Sequence, residues 1–262
     1  MVGRGAGDRV PPEAVLMLGA GPELARPGAA PAGDKPTAKS DALTDLALTM
    51  PIFVLYHLGV AFLPIRNAAD PVTAELRALA KHSLPLYAGL TVAVGAAFVL
   101  VLSILGRGHA LQTRRFALLA AEGALYAILM RFAGAYVVGS LRLGPPAASN
   151  DIFTGVVMSL GAGFYEEIAF RVGLYGLGAL GIKFFFGRGV QGVVLMVGWA
   201  VVAAAVFSGW HYVGSLGDPW NLPSFVFRMV CGLVLTAIYV FRGFAPAVWT
   251  HALYDVWVLV LR

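Results

Sequence analysis

Long apolar runs separated by short polar breaks make up most of the chain from residue 43 onward. A helix needs about 20 predominantly apolar residues to cross a hydrocarbon layer of roughly 30 Å. Seven runs approach or reach that length: 43–63, 85–105, 116–139, 152–173, 194–214, 223–241 and 245–261. The pattern predicts an all-α fold, a polytopic transmembrane bundle of about seven spanning helices.

The first 40 residues differ from the rest of the chain. They are rich in Gly, Pro and Ala and carry scattered charges of both signs, a composition that cannot build a packed core. We therefore expect a disordered N-terminal tail at 1–40. It is followed by N-terminal transmembrane helices at 41–150 and by a C-terminal helix core at 151–262, which holds most of the clustered polar residues.

Composition and charge narrow the class further. Hydrophobic residues make up 59% of the chain and charged residues 13%, about half the share expected in a soluble domain. In the predicted topology, eleven Lys and Arg of the tail and loops fall on one side of the bilayer and five on the other. This bias predicts a cytoplasmic N terminus. Because membrane orientation accounts for the positive net charge, the charge is no evidence for nucleic-acid binding. The single cysteine, Cys231, excludes an intrachain disulfide and a zinc cluster built on thiolates.

The run 152–173 contains the segment GFYEEIAFR, with two acids and a base among apolar residues. Each lone charge at mid-bilayer costs about 2.5 to 3.5 kcal/mol, so neighbouring helices must surround these groups. Glu167 and Arg171 are four residues apart on a helix and can pair, whereas Glu166 is turned about 100° away. Glu166 is thus a buried, unpaired carboxylate and a candidate proton acceptor. The alternative for Glu167 and Arg171 is a pair that only fixes helix packing.

Small residues accompany these charges. Gly155, Ser159 and Gly163 recur at four-residue intervals on the face that carries Glu167. Such a ladder lets another helix approach closely, and close packing would exclude lipid from the charges.

Two histidines lie in later apolar runs. His211 follows Phe207 by one turn in VFSGWHY, and His251 precedes Asp255 by one turn in HALYD. Asp255 can hold the His251 ring in one tautomer, or the two can share a ligand. His211 has a plainer alternative, a position at a helix end with a bond to a carbonyl oxygen.

Glu166, His211 and His251 can form one site only if they lie at the same depth in the membrane. This requirement constrains the segment between Glu166 and His211. The segment 174–193 can extend the fourth helix, lie in the interface or re-enter the membrane. His211 reaches the depth of Glu166 only if its helix begins near Trp199 rather than Val190, so we expect non-spanning structure within 174–196. Other polar residues in the apolar runs lack a partner at helical spacing, and we interpret them as packing or interfacial groups, with Arg228 the best candidate to join the site. They are Asp45, His57, Glu122, Arg131 and Arg228.

Three short motifs in this order resemble those of a known family. EEIAFR is similar to EExxxR, FSGWH to FxxxH and HALYD to HxxxN/D of the CPBP family. That family includes type II CAAX prenyl proteases and bacteriocin-processing or self-immunity proteins. The resemblance covers about 152–258, while residues before 151 supply generic helices only.

The resemblance implies an intramembrane endopeptidase, commonly labelled a metalloprotease, that cleaves a peptide or membrane-protein substrate such as a prenylated CAAX protein. It implies that Glu166 activates water, that His211, His251 and Asp255 complete the site, and that Glu167 and Arg171 support it. Asp255 stands where prenyl proteases carry Asn, and an ionised carboxylate cannot donate a hydrogen bond to an oxyanion. A zinc ion on Glu166, His211, His251 and Asp255 is a further expectation.

Two other classes of function stay open. A non-catalytic binding or bacteriocin-immunity protein would retain the fold and use its cavity for a partner. A proton-coupled transporter would also bury acids and histidines, but it predicts repeated halves, and the motifs do not recur in the first half. The tail and the compact chain are typical of a bacterial member of the family. We therefore expect the protein in the bacterial inner membrane, with the lipid bilayer as a partner.

Overall fold

The computed structural model describes residues 42–81, 83–105, 113–139, 151–214 and 217–261. The predicted tail at 1–40 lies outside these ranges. Helices account for the secondary structure of the described residues, and no strand occurs among them. The helices are α1 (Ala42–Val60), α2 (Val72–Leu79), α3 (Leu84–Leu105), α4 (Thr113–Val138), α5 (Ile152–Gly161), α6 (Leu177–Phe186), α7 (Val190–Trp210), α8 (Leu222–Phe241) and α9 (Phe244–Leu259).

The predicted helical membrane bundle is confirmed. Four helical stretches of the described chain are long and apolar enough to cross a membrane: Thr113–Val138, Ile152–Phe186, Val190–Trp210 and Leu222–Phe241. Shorter apolar helices lie at Thr44–Val60 and Leu84–Ala97. The protein is therefore an integral membrane protein, and the helix α2 is an addition that the hydrophobic pattern did not predict.

The stretch from α5 to α6 is one continuous helix of 35 residues, so residues 174–186 extend the fourth predicted helix. The helix that leads to His211 begins at Val190, which corrects the expected start near Trp199. Two π-helical segments, Ala162–Glu166 and Ile168–Gly176, join α5 to α6. At about 1.5 Å per residue the whole helix is about 50 Å long, far more than a hydrocarbon layer requires. Because it runs on to Phe186, α7 begins at Val190 and needs its additional turns to return to the level of Glu166. The Trp199 indole N–H donates to the Leu174 carbonyl at 3.0 Å and holds α7 against the second π-helical segment.

The last helix, α9, lies inside the bundle. It contacts α1, α4, α5 and α8, and half of its length is buried. Its start is fixed by Asp45 of α1, whose carboxylate accepts from the Phe244 backbone N–H at 2.7 Å. Gly243 precedes this bond with φ of 114°, a conformation that L side chains rarely adopt. We predicted from the sequence that Asp45 is a packing or interfacial group. In the structure it caps the start of α9.

Helix α9 approaches the chain most closely at Gly163, in the first π-helical segment. A Cβ atom built on Gly163 would lie 2.6 Å from the Ala252 Cβ and 2.8 Å from the Ala252 backbone nitrogen. Of the expected small-residue ladder, Gly163 is therefore a position at which α9 packs. This approach places residue 251 beside residues 166 and 167.

We expect Gly163→Ala to destabilise the fold by about 1 to 3 kcal/mol, because the added methyl meets backbone that cannot rotate away. Gly198→Ala in α7 is the matched control, since a Cβ there has no neighbour within 4 Å. In a helix interior that control should be neutral or stabilising by up to about 1 kcal/mol. Thermal unfolding of both variants in detergent measures the difference. Equal midpoints would show that α9 does not depend on this contact.

Candidate active site

The two motif glutamates lie where one π-helical segment ends and the next begins. Glu166 is the last residue of the first segment, and Glu167 separates it from the second. Wide π-helical turns are rare and occur frequently at functional sites. Both side chains point into the bundle: Glu167 is 0% exposed and Glu166 6%.

Glu167 connects two helices through its two carboxylate oxygens. Its Oε2 lies 3.1 Å from Arg171 Nε, which is the pair that the spacing predicted. Its Oε1 lies 2.6 Å from His251 Nδ1 on α9. The Arg171 guanidinium also stacks over the Phe207 ring of α7, with its Cζ 4.2 Å from the ring centroid. Glu167 and Arg171 thus neutralise each other while His251 adds a hydrogen bond to Glu167, and the pair does more than fix its own helix.

Glu166 has a different environment. Its Oε1 accepts a hydrogen bond from Asn67 Nδ2 at 2.9 Å. Its Oε2 is buried and has no hydrogen-bond partner among the residues that the structure describes. That oxygen faces His211 Nε2 at 3.8 Å and His251 Nε2 at 4.0 Å. As predicted, Glu166 is the acid that no arginine neutralises.

Both histidines present the same nitrogen to Glu166. His211 Nδ1 lies 2.9 Å from the Phe207 carbonyl oxygen, which can only accept, so this nitrogen carries the proton. His251 Nδ1 donates in the same way to Glu167. In each neutral ring Nε2 is therefore the unprotonated nitrogen. His211 fulfils both interpretations of its motif, since it ends a helix, bonds a carbonyl and still reaches the site.

Asp255 does not hold the His251 ring, contrary to one of the two roles expected from its spacing. Asp255 Oδ2 lies 3.6 Å from His251 Nε2, which is too far for a hydrogen bond. Glu167 takes that role because Gly163 brings α9 against the π-helical segments, whereas helical spacing alone only places Asp255 one turn away. Asp255 lies instead on the wall of a cavity.

The cavity has a volume of about 340 Å³ and gathers the polar residues at one place. Glu166, His211, His251 and Asp255 contribute to its wall together with the loop residue Asn67. The remaining wall is largely apolar. It includes Met130, Met158, Phe207, Phe227, Leu235 and Val258.

Zinc requires a tighter arrangement than these residues show. Ligand atoms around a tetrahedral zinc ion lie about 3.3 Å apart, as follows from bond lengths of about 2.0 to 2.1 Å. Within the described ranges, no group of three or more His, Cys, Asp or Glu is placed so that it could hold a metal ion. The donor types suit zinc, since two unprotonated Nε2 atoms and one unbonded carboxylate oxygen face each other. The zinc site on Glu166, His211, His251 and Asp255 stays a prediction.

Sequence analysis did not identify Asn67 as a residue of the candidate site. Asn67 lies between α1 and α2, in the part of the chain that was expected to supply generic helices only. No helical spacing links residue 67 to residue 166, so motif analysis held no signal for it. The other polar residues have partners outside their own helices. His57 bonds the Tyr165 hydroxyl, Glu122 pairs with Arg242, Arg131 lies over the Trp257 ring, and Arg228 pairs with Asp218. Of these, Arg228 alone lines the cavity.

Comparison with known proteins agrees with the motifs. Residues 148–257 match the family model described as type II CAAX prenyl endopeptidase Rce1-like. The search of curated proteins and the search of solved structures returned no match. The family match confirms the resemblance to the CPBP and CAAX protease family, and it covers the three motifs, including Glu166 and the two histidines that face its Oε2.

We expect Arg171→Met to destabilise the protein by about 3 to 5 kcal/mol, because it leaves the buried carboxylate of Glu167 without its cation. The matched control is Arg242→Met, which breaks the pair with Glu122 at a guanidinium that is 51% exposed. Exposed pairs contribute about 0 to 1 kcal/mol. Unfolding in detergent followed by circular dichroism compares the two. Similar losses in both variants would contradict a structural role for the buried pair.

Proposed function

We propose that the protein is an intramembrane endopeptidase that hydrolyses a peptide bond of a membrane-associated substrate with water activated by Glu166. One observation carries this proposal: Oε2 of Glu166 is buried, makes no hydrogen bond to any residue of the described ranges and faces two imidazole Nε2 atoms in a cavity. A buried acceptor without a partner costs free energy, so a structural role leaves this arrangement without a reason. A water molecule on that oxygen would satisfy it.

The reaction follows from this geometry. Glu166 Oε2 takes a proton from water as the water oxygen forms a bond to the carbonyl carbon of the substrate. The carbonyl oxygen becomes an oxyanion. Glu166 then gives the proton to the amide nitrogen as the carbon–nitrogen bond breaks, so the acid returns to its starting state and the products are a carboxylic acid and an amine.

The oxyanion needs a donor, and the histidines are the candidates. Glu167, Glu166 and Asp255 place carboxylate oxygens 2.6, 4.0 and 3.6 Å from the His251 ring nitrogens. An imidazolium at His251 would balance this negative charge and donate through Nε2. Asp255 cannot take the donor role while it is ionised. Glu167, with Arg171 behind it, holds the His251 ring for this task.

A metal ion is an additional hypothesis for the same residues. Zinc held by Glu166, His211, His251 and Asp255 would polarise the carbonyl and lower the pKa of a bound water toward about 7. Glu167 and the Phe207 carbonyl would then orient the two imidazoles from behind, as outer partners of metal-bound histidines do.

The cavity favours an apolar substrate. Its aliphatic, aromatic and methionine side chains suit a hydrophobic segment or a lipidated peptide, and the family match makes a prenylated CAAX-type sequence the first candidate. We place the protein in a bacterial inner membrane with its N terminus in the cytoplasm, on the composition of the tail and the distribution of Lys and Arg.

We expect Glu166→Gln to reduce kcat by at least about 10²-fold, because the amide cannot accept the proton of water. The measurement is cleavage of a panel of membrane-anchored and prenylated peptides by the purified protein in detergent. Glu122→Gln is the matched control, since the same change there affects only the partly exposed pair with Arg242. Both variants should keep the unfolding midpoint of the wild type.

Two results would refute the protease proposal. One is equal turnover by the wild type and Glu166→Gln. The other is a wild type that cleaves nothing in the panel while both proteins bind a peptide partner or protect cells equally, which would support the immunity or binding alternative.

Metal analysis of the purified wild type and of His211→Ala, together with a chelator, tests the zinc hypothesis separately. Loss of bound metal together with loss of activity would support it.

A further inference from the structure

Asn67 contacts the proposed catalytic base from outside the matched family region. It lies in the loop between α1 and α2, and only 5% of its surface is exposed. Its Nδ2 donates to Glu166 Oε1 at 2.9 Å across 99 positions of sequence. Among the described residues it is the one hydrogen bond that the Glu166 carboxylate makes. The other carboxylate oxygen, Oε2, faces the two histidines.

The amide of Asn67 is fixed in orientation by its neighbours. Its Oδ1 accepts from the Ala69 backbone N–H at 2.8 Å, a group that can only donate. The amide nitrogen must therefore be the atom that faces Glu166. Rotating the amide by half a turn would break both contacts.

The loop that carries Asn67 is itself anchored to the bundle. The Asn67 backbone N–H donates to the Tyr56 hydroxyl at 3.1 Å, and that hydroxyl donates to Asp70 Oδ2 at 2.8 Å. Asp70 Oδ1 in turn accepts from the backbone N–H groups of Val72 and Thr73 and caps α2. Tyr56 is fully buried and Asp70 is 1% exposed, so this support is not shared with water.

We infer that Asn67 is a positioning residue for the protease reaction. By binding Oε1, it holds the Glu166 carboxylate so that Oε2 carries the water between His211 and His251. A carboxylate without this bond can rotate about its last side-chain torsion, which has a broad energy profile. Positioning of a reacting group within fractions of an ångström affects turnover strongly, and a displacement of 1 Å can cost about 10²-fold.

The inference rests on the proposed function, and Asn67→Asp is its sharpest test. Asp has the same shape and keeps an oxygen for the Ala69 N–H, so the loop retains its bond. While ionised, the other oxygen cannot donate to Glu166 and brings a second negative charge beside it. We expect kcat to fall about 10- to 100-fold while KM stays within about twofold. Asn67→Ala, which removes the donor without adding charge, should also lower kcat and leave KM nearly unchanged.

Asn221→Ala is the matched control. Asn221 is also a loop asparagine, and it caps α8 by accepting from the Ser224 backbone N–H at 2.9 Å without lining the cavity. This variant should lower the unfolding midpoint and leave kcat of the folded protein unchanged. If Asn67→Asp and Asn67→Ala keep the wild-type kcat, or change kcat only as Asn221→Ala does, the positioning role is refuted.

A second measurement separates this inference from the protease proposal. The infrared difference spectrum between wild type and Glu166→Gln isolates the carboxylate stretch of Glu166, whose frequency depends on hydrogen bonding. Asn67→Ala should shift this band, and Asn221→Ala should not. If Asn67→Ala shifts the band while the wild type cleaves no substrate, the protease proposal is refuted and the contact is still established. An unshifted band would refute the positioning role whatever the activity.

Discussion

The buried contact of Glu167 with both Arg171 and His251 is the interaction on which the rest of the site depends. Three ionisable groups in an apolar interior are costly one by one, and together they are tolerated only because each faces an opposite charge or a hydrogen-bond partner. Glu167 uses its two oxygens on two different helices, 3.1 Å from the arginine and 2.6 Å from the imidazole. This arrangement links α9 to the π-helical segments and fixes the His251 ring. It also decides that Glu166, one residue earlier on a different face, is not neutralised by the same arginine.

That link requires the backbones to come unusually close. Gly163 contacts Ala252 where any side chain would collide with backbone atoms, and His251 is the residue next to that contact. Because α9 is surrounded by α1, α4, α5 and α8, it cannot move away to relieve a collision. Asp45 fixes the start of the same helix through the Phe244 N–H. The small residues near the motif and the acid in the first helix therefore serve one purpose, which is to set the position of His251 relative to the two glutamates.

Sequence periodicity and motifs predicted much of this arrangement because they act over short distances. Each predicted run corresponds to a helix whose ends lie within a few residues of the expected ones, except that the run at 152–173 continues to Phe186. The pairing of Glu167 with Arg171 followed from a four-residue spacing that survives in the π-helical segment. The partner of His251 did not follow, because Asp255 is one turn away in sequence while Glu167 is brought in by tertiary packing. The π-helical turns, which give Glu166 and Glu167 their directions, have no marker in hydrophobic pattern.

Asn67 is a second example of a tertiary contact that short-range sequence rules could not predict. Its loop, residues 61–71, is separated from Glu166 by the four helices α2 to α5 in sequence, so rules that act over short distances interpret it only as a connection. In the folded chain its amide has one possible orientation, set by the Ala69 N–H, and that orientation directs a donor at the carboxylate of Glu166. A buried carboxylate with one bonded and one free oxygen differs physically from one with two free oxygens, because only the first has a defined acceptor direction. The loop between α1 and α2 therefore supplies a hydrogen bond to Glu166, although the three motifs all lie beyond residue 151.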